Sequence, residues 1–413
     1  MSQTPQSESP APGLLKPWHF VLAFGFVSLL ADMVYEGARS IIGPYLATLG
    51  ASATVVGLVA GAAEFIGYGL RVVTGYAVTR SRHYWTWTIA GYALTVLSVP
   101  LIGATGMLLP ALLLYGTERL GKAVRSPAKD TLLSFAAAGT GRGSAFGVHQ
   151  ALDQTGALLG PLLLAAVLAW RDGDYRLAFG VLIIPGVLVL VVLLWLRGRV
   201  PDPRAYEDAA VADVVEAQAD QAADPIGTGR ASLPRRFWEY VAAVAVLSCG
   251  VATFPLIAYH AEVRDLVGDA VIPLLFAVAM AVDGVSGLVV GRVYDVQGPR
   301  VLFAVPVAAA ASVVAFLDHV AWLWIGVAVW GVVNGVLDST VKAVVTDLVP
   351  GNSRAIAFGW LAFVRGVGLL VSGGLLGVAY DAGTGWVVGV VVGANVLAVL
   401  GLARVLGRGL SAG

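Results

Sequence analysis

The chain has 413 residues, 58% of them hydrophobic and only 13% charged, with 26 basic and 26 acidic side chains and a formal net charge of zero. That composition excludes an ordinary water-soluble globule, which needs far more charge to cover its surface, and zero net charge excludes a nucleic-acid partner held by bulk electrostatics. The single cysteine, Cys249, excludes an intrachain disulfide, and in its apolar run it reads as core.

The opening residues, 1–17, are polar and rich in Pro and Ser, the composition of a disordered tail. The apolar run behind them is too long for a cleaved signal peptide and carries charges, so it reads as a retained first span. A helix needs about 20 mostly apolar residues to cross a bilayer. Twelve segments qualify, in order 18–48, 53–79, 84–103, 107–128, 143–170, 175–196, 237–261, 269–293, 299–318, 321–348, 354–380 and 384–407. Pro and Gly mark many of the breaks, as at Pro127, Gly298-Pro299 and Pro350-Gly351. Residues 197–236, rich in Ala, Asp and Glu, separate six spans from six and read as a flexible cytoplasmic linker, while 408–413 form a short tail. The expected fold class is an all-α membrane protein, with twelve transmembrane helices in two six-helix, pseudo-symmetric bundles, 18–196 and 237–407.

The pseudo-symmetry is written in the sequence. Arg142-Gly-Ser-Ala-Phe-Gly147 recurs 212 residues later as Arg354-Ala-Ile-Ala-Phe-Gly359, each opening an apolar run. The same offset pairs Gly156 with Gly368, and Asp153 with Arg365, opposite charges at matched depth. The basic residues, mostly Arg, gather in alternate loops and tails, among them Arg80, Arg82, Lys129, Arg197 and Arg300, and the other loops hold only Arg171, Arg176 and Arg264. This asymmetry puts both termini in the cytoplasm. The preference for Arg fits a high-GC bacterial genome, so the expected location is a bacterial cytoplasmic (inner) membrane, crossed many times. Most Trp residues fall near span ends as interfacial anchors; Trp330 and Trp360 lie farther inside, as candidate cavity residues.

A charge at mid-membrane costs at least about 2.5–3.5 kcal/mol on insertion scales, yet many are present. Span 1 carries Asp32, Glu36 and Arg39 on one helical face, with Asp32 about 21 Å from the inner end at 1.5 Å per residue. Span 2 repeats the spacing with Glu64, Tyr68 and Arg71, and span 4 with Glu118, Lys122 and Arg125, Arg119 beside them. Span 5 has His149 and Asp153, span 8 Asp283, span 10 Asn334 and Asp338, and span 11 Arg365. Structural pairing, for instance Glu118 with Lys122 at i,i+4, explains Glu118, Lys122, Arg125 and Arg39 as well as function does. It explains Asp32, Glu36 and Asp153 less well. His149 reads more readily as a bonded structural residue than as a ligand.

Gly291-Arg-Val-Tyr-Asp295-Val-Gln-Gly298-Pro-Arg300, between spans 8 and 9, resembles the signature loop of the major facilitator superfamily. The corresponding loop between spans 2 and 3, from Gly75 to Arg82, has Thr79 where that signature is acidic. Gly156-Ala-Leu-Leu-Gly160-Pro161 resembles the antiporter signature of the superfamily's drug and proton exchangers, without its terminal Gly pair. The stretch from Glu118 to Pro161 resembles bacterial permeases of the superfamily assigned to drug or metal efflux. The resemblance implies that spans 1, 4, 7 and 10 line a central cavity and that spans 2 and 11 pack across the two halves, which would bring Glu64 to Arg365. On physical grounds Asp295 is placed to cap the N-terminus of span 5 and latch the halves shut inside. Gly156, Gly160 and Pro161 suit close helix approach and a bend.

The expected function is secondary active transport of a small solute by alternating access, with proton-coupled efflux favoured. Candidate proton-coupling residues are Asp32 and Glu36, then Asp153 and Glu64. Candidate substrate contacts are Glu36, Arg39, Tyr68, Arg71, Glu118, Lys122, Trp330, Asn334 and Asp338, and candidate gating residues are Gly291, Asp295, Arg300, Arg365, Gly156, Gly160 and Pro161. Within transport the alternatives are uptake of an organic anion, held by Arg39, Arg71, Lys122, Arg125 and Arg365, and divalent-metal export through Asp32, Glu36 and His149. Outside it stand an intramembrane enzyme or a sensor. The sequence has no phosphate loop, HExxH, cysteine-rich metal pattern or Gly-x-Ser-x-Gly elbow, so neither enzyme chemistry, a cofactor nor a resident metal is expected. The expected partners are the small-molecule or ion substrate, protons and the lipid bilayer, and the chain is expected to act as a monomer.

Overall fold

A computed structural model describes residues 15–138, 140, 142–206, 233–350 and 353–410. Among them the structure is helical, with no strand. The first half runs α1 (Pro17–Thr48), α2 (Ala53–Gly69), α3 (Arg71–Ser81), α4 (Tyr84–Thr105), α5 (Leu108–Ala138), α6 (Arg142–Trp170), α7 (Tyr175–Val181) and α8 (Ile183–Arg199). The second runs α9 (Arg235–Cys249), α10 (Phe254–Val263), α11 (Val271–Gln297), α12 (Ala304–Ser312), α13 (Val320–Leu348), α14 (Arg354–Ala382) and α15 (Thr384–Leu410). Several crossings are broken: α2 gives way to α3 at Leu70, α7 to α8 at Leu182, and α9 to α10 over residues 250–253, just before Pro255.

Ten stretches are long and apolar enough to cross a membrane. One of them, Val271–Phe316, holds two crossings, because the chain turns at Gly298, whose φ of 62° with ψ of −150° is a combination essentially only glycine adopts. The helix α5 fails the same composition test because Glu118, Arg119, Lys122 and Arg125 lie on it, yet its 31 residues are ample and it packs along α4. Among the described residues the helices are consistent with the twelve crossings that the sequence predicts. An even number returns the chain to the end where it began, here called the terminal end.

Leu109, Leu113, Ile184, Val191, Leu288 and Leu397 are all more than half exposed. On a soluble protein such apolar surface would be a liability; here it is the lipid face. Inside, α1 packs on α6 and α11 on α13, and the two bundles meet through α2 with α14, α1 with α10 and α6 with α11. The α2–α14 seam is built from Gly57 and Gly61 facing Gly373 and Gly377: a Cβ on Gly57 or Gly373 would overlap the other's carbonyl oxygen.

The hydrogen bonds that join the bundles gather at the far end. Asp381, on α14, accepts from the free amides of Ala53 (3.1 Å) and Thr54 (2.9 Å) at the start of α2. Ser52 caps Val55 in the same turn, so Asp381 completes the N-cap from the opposite bundle. The Tyr175 hydroxyl lies 3.2 Å from both Glu262 Oε2 and Asp269 Oδ1 across the interface.

At the terminal end the expected latch is not made. Asp295 is exposed and has no hydrogen bond or ion pair among the described residues, and neighbouring Val296 is 86% exposed. Residues 197–206 also depart from expectation. The helix α8 runs to Arg199, the Trp85 indole donates to the Val200 carbonyl (3.0 Å), and Tyr206 donates to Leu15 (2.7 Å), which pins the start of the linker to the first bundle. The buried Trp85 N–H needs an acceptor, and this backbone supplies it. The expected tails, over 1–14 and 411–413, and residues 207–232 of the linker lie outside the described residues; α15 continues to Leu410 rather than ending at 407.

Candidate functional site

A cavity of about 210 Å³ lies between the bundles. The first bundle supplies Asp32, Tyr35, Glu36 and Arg39 from α1, Glu64 and Tyr68 from α2, and Arg71 from α3. Arg119 and Lys122 of α5 and Gln150, Asp153 and Gln154 of α6 complete that wall. The second bundle supplies Asp283, Trp330, Asn334, Asp338 and Arg365. The wall is dense in charge because only here can a mid-membrane charge find a partner or water.

The first cluster is built on the α1 face. Arg39 lies 3.5 Å from Glu36 and 3.0 Å from Glu64, and Lys122 lies 3.8 Å from the other Glu36 oxygen. The pair Glu118–Lys122 expected from spacing does not form. Glu118 meets its chain neighbour Arg119 at 2.8 Å, both about 1% exposed, while Lys122 reaches across to α1. Glu118, expected as a substrate contact, is absent from the cavity wall. Tyr35 lies under three cations, Lys122 at 4.1 Å, Arg125 at 5.2 Å and Arg119 at 5.8 Å from its ring centroid.

Toward the terminal end, Lys129 lies 3.0 Å from His149 Nε2, 3.4 Å from Ser28 Oγ and 3.7 Å from Asp153. His149 also meets Ser28 (3.3 Å) and Asp153 (3.7 Å) and stacks on Phe24. It is therefore a bonded residue, as the sequence favoured. The sequence placed Lys129 in a loop, but α5 continues ten residues past 128 and carries Lys129 inward.

In the second bundle Arg365 binds Asp338 at 2.8 Å. The expected Glu64–Arg365 pair is not made. The helices do pack, but Arg39, in the same bundle, takes Glu64, and Arg365 meets α2 through the Tyr68 ring at 5.4 Å. The repeat has a consequence in these pairs. Lys129 (α5) with Asp153 (α6) and Asp338 (α13) with Arg365 (α14) join equivalent helices of the two halves with reversed sign. Arg354, opening α14, turns back to the Thr346 carbonyl (3.0 Å); the side chain of Arg142 lies outside the described residues.

Other candidates fall elsewhere. Gly156 and Gly160 press against the backbone of Leu29 and Met33 within the first bundle, and α6 runs unbroken through Pro161. Gly291, Asp295 and Arg300 lie outside the cavity wall. Trp330 lines it and donates to the Ala252 carbonyl (2.7 Å), whereas Trp360 is turned away and packs on Trp238. The sequence reading did not select Tyr35, Gln150, Gln154 or Asp283 as site residues. Gln150, Asp153, Gln154 and Ala157 follow an i, i+3, i+4, i+7 pattern, which was the available signal. Among the described residues no group of three or more His, Cys, Asp or Glu is placed to hold a metal ion.

The Major Facilitator Superfamily family model matches residues 21–373. The chain belongs to the Major Facilitator Superfamily. An uncharacterized protein of Mycobacterium tuberculosis is 45% identical over 389 residues, covering 94% of this chain and 92% of its own. An uncharacterized MFS-type transporter of Methanocaldococcus jannaschii is 28% identical over 183 residues, 44% of this chain and 46% of its own. Among solved structures, a point mutant of the nucleoside transporter NupG superposes with a TM-score of 0.74 at 10% identity, over 94% of this chain and 99% of that one, a likeness of fold. Membership of the superfamily makes the protein a multi-pass membrane transporter of a small-molecule substrate rather than an enzyme.

Proposed function

We propose that this protein is a proton-coupled secondary transporter of a bacterial cytoplasmic membrane, exporting a small polar solute by alternating access. The supporting observation is Asp32. It lines the cavity, is only 6% exposed, and has no ion pair or hydrogen bond among the described residues. Glu36, one turn away, is held between Arg39 and Lys122. Asp32 is thus the α1 acid whose proton is not locked by a cation, free to load and unload as the cavity faces each side in turn. Glu36 is then the fixed acid, a substrate contact.

A wall this charged suits a small polar cargo; a lipophilic drug needs apolar and aromatic lining. The basic-residue asymmetry supports a cytoplasmic terminal end, the loading side of an exporter, and among the described residues no hydrogen bond joins the bundles there. The export direction rests on the Gly156–Pro161 signature. The test begins with a deletion strain screened against drugs, metals and organic acids, followed by flux of the hit in proteoliposomes under an imposed pH gradient. Asp32→Asn should abolish gradient-driven accumulation while leaving exchange of the solute measurable. Full gradient-driven flux in both Asp32→Asn and Glu36→Gln would remove the coupling site from α1.

A further inference from the structure

The sequence offers five buried cations for an anion, and the structure separates them. Arg39 is held by Glu36 and Glu64, Lys122 by Glu36, and Arg365 by Asp338. Arg125 is off the cavity wall, its guanidinium 4.3 Å from the Tyr92 ring and 5.2 Å from the Tyr35 ring. Arg71 is different. It lines the cavity, has no acidic partner among the described residues, and its Nε is buried without a hydrogen bond. Its described contact is the Tyr68 ring, 5.3 Å from the guanidinium carbon.

Arg365 lies 5.4 Å from the same ring. Two guanidinium groups from opposite bundles thus converge on one aromatic ring. Arg365 spends one nitrogen on Asp338, and a guanidinium has five N–H donors in a planar fork. Arg71 is half-buried, and its buried Nε lacks a partner that an arriving anion supplies.

We propose that the cargo carries an anionic group, a carboxylate or a phosphate, that docks between Arg71 and Arg365 over Tyr68. This rests on the transport reading for its word cargo, but not on the direction of transport or on proton coupling. Because the seat takes donors from both bundles, the bound anion ties them together, which lets the cargo bias the rocking of one half against the other. Carboxylate and phosphate share the chemistry of the seat, since both accept paired N–H donors from a planar fork.

The test is direct binding to the purified full-length protein. Thermal stability is titrated with inorganic phosphate, with succinate, and with putrescine as a cationic control, at constant ionic strength set by chloride. We expect phosphate or succinate to raise the melting temperature, and the responsive anion identifies the class. Arg71→Gln should weaken that response about ten- to a hundredfold, the loss of a charge-assisted contact, and Arg71→Lys should restore part of it. The ligand-free melting temperature of each variant shows whether it folds. A response confined to putrescine, no response to either anion, or a response unchanged in Arg71→Gln would overturn the proposal. Anion binding through Arg71 in a protein that moves no solute would sink the transporter reading and leave the anion seat. Gradient-driven flux unaffected by Arg71→Gln would do the reverse.

Discussion

The far end of the molecule is joined by hydrogen bonds between the bundles and the terminal end has none among the described residues, and the two differ in what their helix termini find. At the far end, the exposed amides of α2 are capped by Asp381 from the other bundle, and Tyr175 reaches Glu262 and Asp269. At the terminal end, Asp295 has no described partner, and Thr79 bonds back to Gly75 within its own helix. Orphan backbone groups at helix ends must be satisfied by something. A few contacts at those positions therefore decide which face of the cavity is shut, with the deep charge pairs of each bundle left intact.

The glycine seam offers the largest way to break this asymmetry. Gly373→Leu puts a side chain where the α2 backbone now lies. Overpacking of this kind costs about 1–3 kcal/mol or more, which is enough to displace a two-state equilibrium about ten- to a hundredfold. The far end should then fail to close, with transport lost. The check uses a thiol at cavity residue Ala157 in a background without Cys249, labelled in intact cells by an impermeant maleimide. Labelling should rise in Gly373→Leu. Unchanged labelling would mean that the seam does not set closure.

Asp381→Ala is milder. An N-cap is worth about 0.5–2 kcal/mol, so the same thiol should label several-fold faster from outside, with transport reduced but present. A variant as closed as the parent would transfer the latch to Tyr175 and its two acids. In that case Tyr175→Phe should produce the shift that Asp381→Ala did not.

The sequence made the architecture readable because the bilayer constrains it so strongly: span length, alternating basic loops and a 212-residue repeat all survive without tertiary knowledge. The site was readable for a related reason. Charges at mid-span are tolerated only along an internal cavity, so Asp32, Glu36, Arg39, Glu64, Arg71, Lys122, Asp338 and Arg365 were visible before any helix was packed, and all of them line it. Their partners were not readable. Periodicity along one helix suggested Glu118–Lys122, but a lysine's long side chain reached α1 instead. Family packing brought α2 to α14 correctly, yet which acid met which arginine depended on a residue from α1, and Asp381, the only acid on α14, fell one residue beyond the expected end of its span and carried no signal.

The smallest effect is expected at Asp295, and it separates the two ends most cleanly. In the state described here its carboxylate is exposed and bonds nothing described, so Asp295→Asn should leave thermal stability within about 0.5 kcal/mol, as for an ordinary surface substitution. Far-side labelling at Ala157 should change little in equilibrium, since the contacts that hold the far end are untouched. Its role falls in the other half of the cycle, when the terminal end must close and the free amides opening α6 need an acceptor, as α2 needs Asp381 now. Transport should therefore slow although the resting structure is unperturbed. The discriminating measurement is flux beside thermal melting on the same preparation. A variant with normal flux would mean that the terminal end closes without this carboxylate, and a variant that melts early would mean that Asp295 supports the open state after all.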